Sequence, residues 1–277
     1  MWTKRFRSRR RSRRQSAPKG LRARAERRVR GERWSSQVEV EWKALHQVCT
    51  DLPSRSRLTR LVTRLSSNDR GAQESALAEL ELATLLFRAG FRIRFLPESQ
   101  ARTADLECTL GLTRLFVEVT ALVGSPRRRH QRPIWRARRT HDQEYDAGCH
   151  ELLERLLARI SQKARQLVDY CAPVLLGITV PPQARLSEWA EKPCDLKQLA
   201  GTITLLLTRL RQVSAVLLSL WGVEPSPAQS GVRLANVHMV ERSRHQAAYP
   251  RVRLLVLNPA AGAPLSDRQV EALKGLL

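Results

Sequence analysis

The stretch LFVEVTAL, residues 115–122, places one carboxylate, Glu118, among apolar side chains, with Thr120 two residues later. This composition predicts a strand that is buried on at least one face. Because side chains alternate along a strand, Glu118 and Thr120 share one face of it. A buried carboxylate costs several kcal/mol unless a cation or a metal compensates its charge. The sequence therefore predicts a partner for Glu118, and a solvent-open sheet face with Arg114 as that partner is the alternative.

Apolar patterns on both sides of this strand predict an α/β domain. A helical stripe within residues 66–90 ends at Gly90, and a turn at Gly111 separates two further segments with strand character. The predicted strands cover residues 91–97, 104–110, 113–122, 173–180, 214–221 and 252–258. The predicted helices that follow the Glu118 strand cover residues 148–170, 195–212 and 266–277. This order predicts a mixed central sheet flanked by helices.

Positive charge is concentrated in two segments of the chain. The 277 residues carry a formal net charge of +23. Residues 1–34 hold fifteen Lys or Arg against two acids, and residues 125–140 hold seven Arg and no acid. Such a balance predicts a polyanionic partner, with nucleic acid as the first interpretation and an anionic membrane surface as the second.

The charge distribution suggests a division of the chain. Residues 1–36 form an arginine-rich arm, 37–72 a helical lead-in, and 73–277 an α/β domain with a basic insert at 125–140. The arm has too few aliphatic side chains to offset the entropy of ordering, so we expect it to be disordered in isolation. It is either a nucleic-acid-binding arm or a charged extension without a selected role.

The basic insert interleaves one tryptophan with arginines, which predicts phosphate contacts and one stacking side chain. A solvated loop is the alternative. The residues predicted to contact nucleic acid are Arg127, Arg128, Arg129, Arg132, Trp135 and Arg136.

Cysteine usage and hydropathy predict the compartment. The five cysteines are scattered and form no C-x-x-C pair, which argues against a disulfide framework and a zinc ribbon. Reduced thiols in a reducing compartment are the simpler interpretation. No apolar run reaches the length of about 18 residues that a membrane span needs, and no apolar stretch follows the basic N-terminal run, so we expect no secretory signal. We therefore expect no membrane span and a cytoplasmic location.

Two further acids accompany Glu118. Glu79 lies on the predicted helix before Gly90, and Asp105 begins the second predicted strand, thirteen residues before Glu118. A hairpin that turns at Gly111 brings Asp105 and Glu118 onto neighbouring strands. Two carboxylates held close together repel unless a cation lies between them. Oxygen ligands of this kind suit Mg²⁺ or Mn²⁺.

The run AELELATLLFRAGFRIRFLPESQARTADLECTLGLTRLFVEVTAL, residues 78–122, resembles the core of the PD-(D/E)xK nuclease superfamily, which has the restriction-endonuclease-like fold. The resemblance extends over roughly residues 74–180. It implies a metal-dependent nuclease acting on DNA or RNA, in which Glu79, Asp105 and Glu118 hold Mg²⁺ or Mn²⁺. Glu81 is the alternative for the helix acid.

Thr120 departs from the superfamily pattern, which has a lysine there to orient or activate the attacking water. Threonine carries no charge and cannot replace that ammonium group. In one interpretation, a lysine or arginine from another part of the chain supplies the cation. The candidate is Lys163 on the next helix, with Gln166 one turn further on. The catalytic set would then be Glu79, Asp105, Glu118, Thr120 and Lys163.

The other reading is a fold that binds nucleic acid without cleaving it. A third class is a charge-driven partner of an anionic assembly such as a ribosome. The sequence leaves catalysis and the oligomeric state open, with a dimer as one option.

Overall fold

The computed structural model describes residues 38–97, 104–123, 141–181, 193–221, 223–225, 234–243 and 249–277. The predicted disordered arm and the basic insert, with Arg127, Arg128, Arg129, Arg132, Trp135 and Arg136, therefore lie outside the described residues. The chain divides into two compact units, residues 1–40 and 41–277. Of the first unit only residues 38–40 are described, and they are helical.

The second unit is built on a mixed sheet of seven strands in the order β1-β2-β3-β4-β6-β9-β8. The strands are β1 Arg92–Phe95, β2 Leu106–Leu110, β3 Thr113–Ala121, β4 Val174–Val180, β5 Pro193–Cys194, β6 Ala215–Leu220, β7 Glu224–Pro225, β8 Val237–Glu241 and β9 Val252–Leu257. Strands β3, β4 and β6 run parallel, and the pairs on either side of them are antiparallel. The predicted α/β class with a mixed sheet is confirmed.

Helices cover the sheet. They are α1 at residues 38–48, α2 Leu52–Leu65, α3 Arg70–Arg88, α4 His141–Ala164, α5 Leu196–Leu207 and α6 Asp267–Lys274. A Cβ added at Gly177 of β4 would lie 2.3 Å from Leu82 Cδ2, so α3 approaches this face of the sheet closely. The neighbouring β4 residues Leu176 and Ile178 point the other way and pack in one core cluster with α4 and α5. The helices therefore lie on both faces of the sheet.

The hairpin that the sequence predicts around Gly111 is present. Gly111 has a φ of 62°, which only glycine adopts readily, and it joins β2 to β3. The register pairs Leu106 with Val117, and the Asp105 amide donates to the Val117 carbonyl at 3.0 Å. Asp105 and Glu118 are consequently brought to adjacent strands, as the spacing predicts.

The predicted helical lead-in, residues 37–72, packs against the α/β domain from residue 41 onward. Leu58 and Leu61 of α2 are fully buried. Asp51 caps α2 by accepting from the Ser54 amide, and the Ser54 hydroxyl accepts from the Phe95 amide of β1 at 2.9 Å. Helix α2 is therefore fixed to the sheet that carries the candidate site.

Several element predictions differ from the structure. The helix predicted over residues 195–212 ends at Leu207, and the short strands β5 and β7 have no counterpart among the predicted strands. Helix α4 covers His141–Ala164, whereas the apolar stripe predicts residues 148–170. Its first residues are polar and carry no stripe, and after Ala164 the chain closes in tight turns in which the Gln166 amide donates to the Lys163 carbonyl at 2.9 Å. Strand β8 was missed because it is a partly exposed edge strand without apolar alternation.

Four of the cysteines are free thiols, namely Cys49, Cys108, Cys171 and Cys194. Within the described part of the chain, we find no helix with the length and hydropathy that crossing a membrane requires.

Candidate functional site

A cleft of about 390 Å³ lies among α2, α3, β3 and α4 and the residue that precedes β2. It brings together all the residues that the sequence predicts for the site: Glu79, Asp105, Glu118, Thr120 and Lys163. Arginines from α2 and α4 also line it, namely Arg57, Arg64 and Arg159. The cleft thus combines three carboxylates with four cationic side chains.

Asp105 lies at the point where β2 begins. Its Oδ2 accepts a hydrogen bond from the Val119 amide at 2.8 Å. This amide lies on the side of β3 that faces β2. The Asp105 carboxylate therefore extends the β2–β3 ladder beyond the first residue of β2. In this position its other oxygen, Oδ1, accepts from Arg57 Nη2 at 2.8 Å. Both oxygens of Asp105 are held in fixed directions.

Glu79 of α3 is bound by Arg57 through two parallel hydrogen bonds. Arg57 Nε donates to Oε1 at 2.8 Å, and Nη2 donates to Oε2 at 3.0 Å. Arg64 Nη1 approaches Oε2 to 3.6 Å. Because Nη2 also contacts Asp105, the Arg57 guanidinium joins the two acids. Bidentate pairs of this kind fix the geometry of both partners.

Glu118 is paired with the ammonium group of Lys163, which reaches it from α4. The pair joins β3 to the helix that follows it, across 45 positions of the sequence. Arg114, the alternative partner of Glu118, instead contacts Glu107 Oε1 at 2.9 Å. The cation beside Glu118 is therefore Lys163, the residue that the sequence predicts for this position. Its catalytic role stays a prediction.

Thr120 follows Glu118 on the same face of β3 and lines the cleft with only 6% of its surface exposed. A hydroxyl at this position can donate or accept one hydrogen bond but adds no charge. The positive charge on this wall of the cleft comes from Lys163, not from β3.

Burial governs the electrostatics of the three acids. Burial raises the pKa of Glu118, the negative charge of Asp105 raises it further, and Lys163 opposes the shift. The pKa of Glu79 is raised in the same way, by burial and then by Asp105, against the effect of Arg57. Burial also raises the pKa of Asp105, while the Val119 amide and Arg57 lower it. Additional positive charge near Asp105 and Glu118 would therefore stabilise their ionised forms.

The fit of this site to a divalent cation rests on its oxygen donors. Asp105 and Glu118 present carboxylate oxygens to the cleft from adjacent strands, which suits Mg²⁺ or Mn²⁺. Among the residues that the structure describes, however, no three His, Cys, Asp or Glu side chains lie together as a ligand set. Asp105 accepts from Arg57 through one oxygen and from the neutral Val119 amide through the other, and Glu118 accepts from Lys163 through Oε1, whereas both oxygens of Glu79 accept from Arg57. Asp105 and Glu118 therefore fit the ion better than Glu79 does.

Sequence reasoning missed Arg57, Arg64 and Arg159. A signal for two of them exists, because Arg57 and Arg64 are seven residues apart and so lie on one face of α2. No spacing rule relates that face to Glu79 or Asp105, which lie on other elements. The contact follows from the packing of α2 against α3.

Glu81, the alternative helix acid, lies elsewhere. Its Oε1 accepts from Arg253 Nη2 of β9 at 3.1 Å, and Arg253 also donates to the Leu276 carbonyl. Of the two acids considered on α3, Glu79 lines the cleft and Glu81 does not.

Glu81→Ala is expected to destabilise the protein by about 3 kcal/mol, because it leaves the buried Arg253 guanidinium without its carboxylate. Glu81→Gln retains an acceptor oxygen for Arg253 and should cost less. Urea denaturation of both variants measures the difference. A loss of stability below about 1 kcal/mol for Glu81→Ala would contradict the structural role of the pair.

No family model, curated protein or solved structure matches the chain, and its resemblance to the PD-(D/E)xK superfamily remains a prediction.

Proposed function

We propose that the protein is a metal-dependent nuclease with the restriction-endonuclease-like fold, hydrolysing phosphodiester bonds in DNA or RNA. The observation that carries this proposal is the pairing of Lys163 with Glu118 in a cleft that also holds Asp105. The Glu-x-Thr sequence lacks the lysine of the superfamily, and Lys163 supplies an ammonium group beside the same glutamate. The element order α3, β1, β2, β3, α4, β4 agrees with the core that the resemblance implies.

Asp105 and Glu118 would hold the Mg²⁺ or Mn²⁺ ion. When bound, such an ion lowers the pKa of a coordinated water and stabilises negative charge on a phosphate. Asp105 is suited to this task because the Val119 amide and Arg57 fix both of its oxygens. Glu118 accepts through Oε1 from Lys163, and the structure gives its Oε2 no hydrogen-bond partner among the described residues.

The cationic side chains have separate tasks in this proposal. Lys163 has three N–H donors, so it can hold Glu118 and also donate to an attacking water or a phosphate oxygen. Arg64 from α2 and Arg159 from α4 line the cleft from two different helices. Their positions suit contacts with the phosphates on either side of the reacting one. Arg57 lies deeper and is engaged with Glu79 and Asp105.

A cleavage assay with the full-length chain tests the proposal. Single-stranded and double-stranded DNA and RNA are incubated with the protein in Mg²⁺, in Mn²⁺ and in excess chelator. We expect cleavage of at least one substrate that chelation abolishes. Cleavage that persists in chelator overturns the metal dependence, and no cleavage of any of the four substrates in either metal overturns the nuclease assignment.

The alternative is a nucleic-acid-binding protein without catalysis on the same fold. It is favoured by the cationic partner that each carboxylate already has, which is Arg57 for Glu79 and Asp105 and Lys163 for Glu118. Binding of the same four substrates with no cleavage would support it. The cytoplasmic location and the role of residues 1–36 stay predictions from sequence in both cases.

Arg159→Ala is expected to weaken binding of the nucleic acid several-fold and to lower the slope of log affinity against log salt by nearly one, because one phosphate contact is lost. Fluorescence anisotropy at several salt concentrations measures both quantities. Arg165→Ala is the matched control, since Arg165 is an exposed arginine just beyond the end of α4 and does not line the cleft. Equal slopes for the wild type and Arg159→Ala would remove Arg159 from the binding surface.

A further inference from the structure

We infer that Glu79 is a positioning residue and not a metal ligand: it acts through Arg57, and the pair fixes the direction of the Asp105 carboxylate. The part of this inference that concerns metal rests on the proposed function. The part that concerns Asp105 rests on the contacts of Arg57 alone.

The first observation is that Arg57 binds both carboxylate oxygens of Glu79. Each oxygen of Glu79 accepts from a different nitrogen of the same guanidinium, at 2.8 and 3.0 Å. The side chains of Arg57 and Glu79 are only 7% and 3% exposed. A divalent cation bound to Glu79 would lie next to this buried positive charge, and the repulsion between them is weakly screened there. Glu79 is therefore a poorer ligand than Asp105, of which only one oxygen accepts from Arg57.

The second observation is the shared use of Arg57 Nη2. This nitrogen donates to Glu79 Oε2 at 3.0 Å and to Asp105 Oδ1 at 2.8 Å. The guanidinium is planar and rigid, so the two bonds to Glu79 determine where Nη2 presents its hydrogens. Because Nη2 holds Oδ1, the other oxygen of Asp105 is aligned with the Val119 amide of β3.

The third observation is the anchoring of α2, which carries Arg57. Leu58 is adjacent to Arg57 and is fully buried, and the Ser54 hydroxyl one turn earlier accepts from the Phe95 amide. Helix α2 therefore cannot shift easily when the cleft fills. Strand β1 thus anchors α2, and α2 carries the Arg57 that binds Asp105. Glu79 is the counter-charge that fixes the orientation of the Arg57 guanidinium.

The experiment compares Glu79→Gln, Arg57→Gln and the double variant in the full-length chain. One readout is the ¹⁵N–¹H resonance of the Val119 amide, which reports its hydrogen bond to Asp105. The other is Mg²⁺ affinity by calorimetry. Both single variants should move the Val119 resonance in the same direction, and Glu79→Gln should weaken Mg²⁺ binding about tenfold, as is typical when a residue supporting a ligand is lost. The double variant should show no further weakening beyond the larger single effect.

Independent effects that multiply in the double variant overturn the inference, as does a Glu79→Gln variant that loses Mg²⁺ affinity while the Val119 resonance stays in place. Arg57→Lys serves if Arg57→Gln fails to fold, because one ammonium keeps the charge but cannot reproduce the planar fork that binds both oxygens of Glu79 and Oδ1 of Asp105. A wild-type Val119 resonance in Arg57→Lys counts against the inference. Glu81→Gln, on the same helix but outside the cleft, is the control that should change neither readout.

These readouts do not depend on cleavage. A wild type that binds Mg²⁺ without cleaving nucleic acid overturns the proposed function while the affinities still decide the role of Glu79. A wild type that binds no Mg²⁺ overturns the metal part, and the Val119 resonance in Glu79→Gln then decides whether Glu79 positions Asp105.

Discussion

Glu118→Gln is expected to lower Mg²⁺-dependent cleavage of nucleic acid by about a thousandfold, while the protein stays folded. The substitution keeps the shape of the side chain but removes the charge that would hold the ion and that now pairs with Lys163. Lys163 is 20% exposed at the cleft, so water can solvate its ammonium when the carboxylate is lost. The expected loss is therefore one of chemistry and not of folding. Initial cleavage rates on the substrate that the wild type cleaves best measure it.

The pH dependence of stability gives an independent check on Glu118. Its pKa in the folded protein is raised above the ordinary value, chiefly by burial, so the folded state binds more protons than the unfolded state between about pH 4.3 and about pH 7. Over this window the contribution of Glu118 to stability falls as pH rises. Glu118→Gln removes the titration, and its urea midpoint should fall less than that of the wild type between these pH values.

Glu107→Gln is the matched control for the cleavage measurement. Glu107 lies on β2, next to the strand of Glu118, and pairs with Arg94 and Arg114 outside the cleft. Its loss should change the cleavage rate by less than about twofold, as expected for a partly exposed ion pair. Equal rates for the wild type and Glu118→Gln, with both proteins folded, would remove Glu118 from the reaction.

The parts of the site that sequence could predict are those set by local geometry. Alternation along β3 places Glu118 and Thr120 on one face, and the glycine turn at Gly111 determines that Asp105 returns beside Glu118. Both follow from rules that act over a few residues. Lys163 could be proposed because the helix after a buried strand packs back on the sheet, and it indeed contacts Glu118.

The part that sequence could not predict depends on packing between distant elements. Arg57 is separated by 22 positions from Glu79 and by 48 from Asp105, and its contact requires the angle at which α2 crosses α3. An arginine in a helix normally points to solvent, so the sequence pattern gives no reason to place Arg57 in the cleft. The prediction of Glu79 as a metal ligand takes no account of Arg57, which binds both of its oxygens. Burial of an ion pair is a tertiary property, and no local pattern encodes it.

Lys163→Gln is expected to reduce cleavage by about a hundredfold or more, because the ammonium beside Glu118 is the charge that the Glu-x-Thr sequence itself does not supply. Lys163→Gln leaves the buried Glu118 carboxylate without its cation, which also costs stability, so urea denaturation must first show that the variant is folded under the assay conditions. The cleavage rate at saturating substrate separates this loss from weaker binding. A rate within about twofold of the wild type would show that Lys163 only neutralises Glu118.

Thr120→Lys introduced into Lys163→Gln is expected to recover part of that loss, to within about tenfold of the wild-type rate. Residues two apart on a strand are separated by about 6.6 Å along it, so a lysine side chain at position 120 can reach the Glu118 carboxylate. Thr120 lines the cleft, and the shorter side chain at position 163 leaves room for the new one. Thr120→Met in the same background controls for size without charge and should recover nothing. Recovery by lysine alone would mean that cleavage requires a positive charge on the Glu118 face, whichever element supplies it; equal rates for the two double variants would contradict this role for the charge.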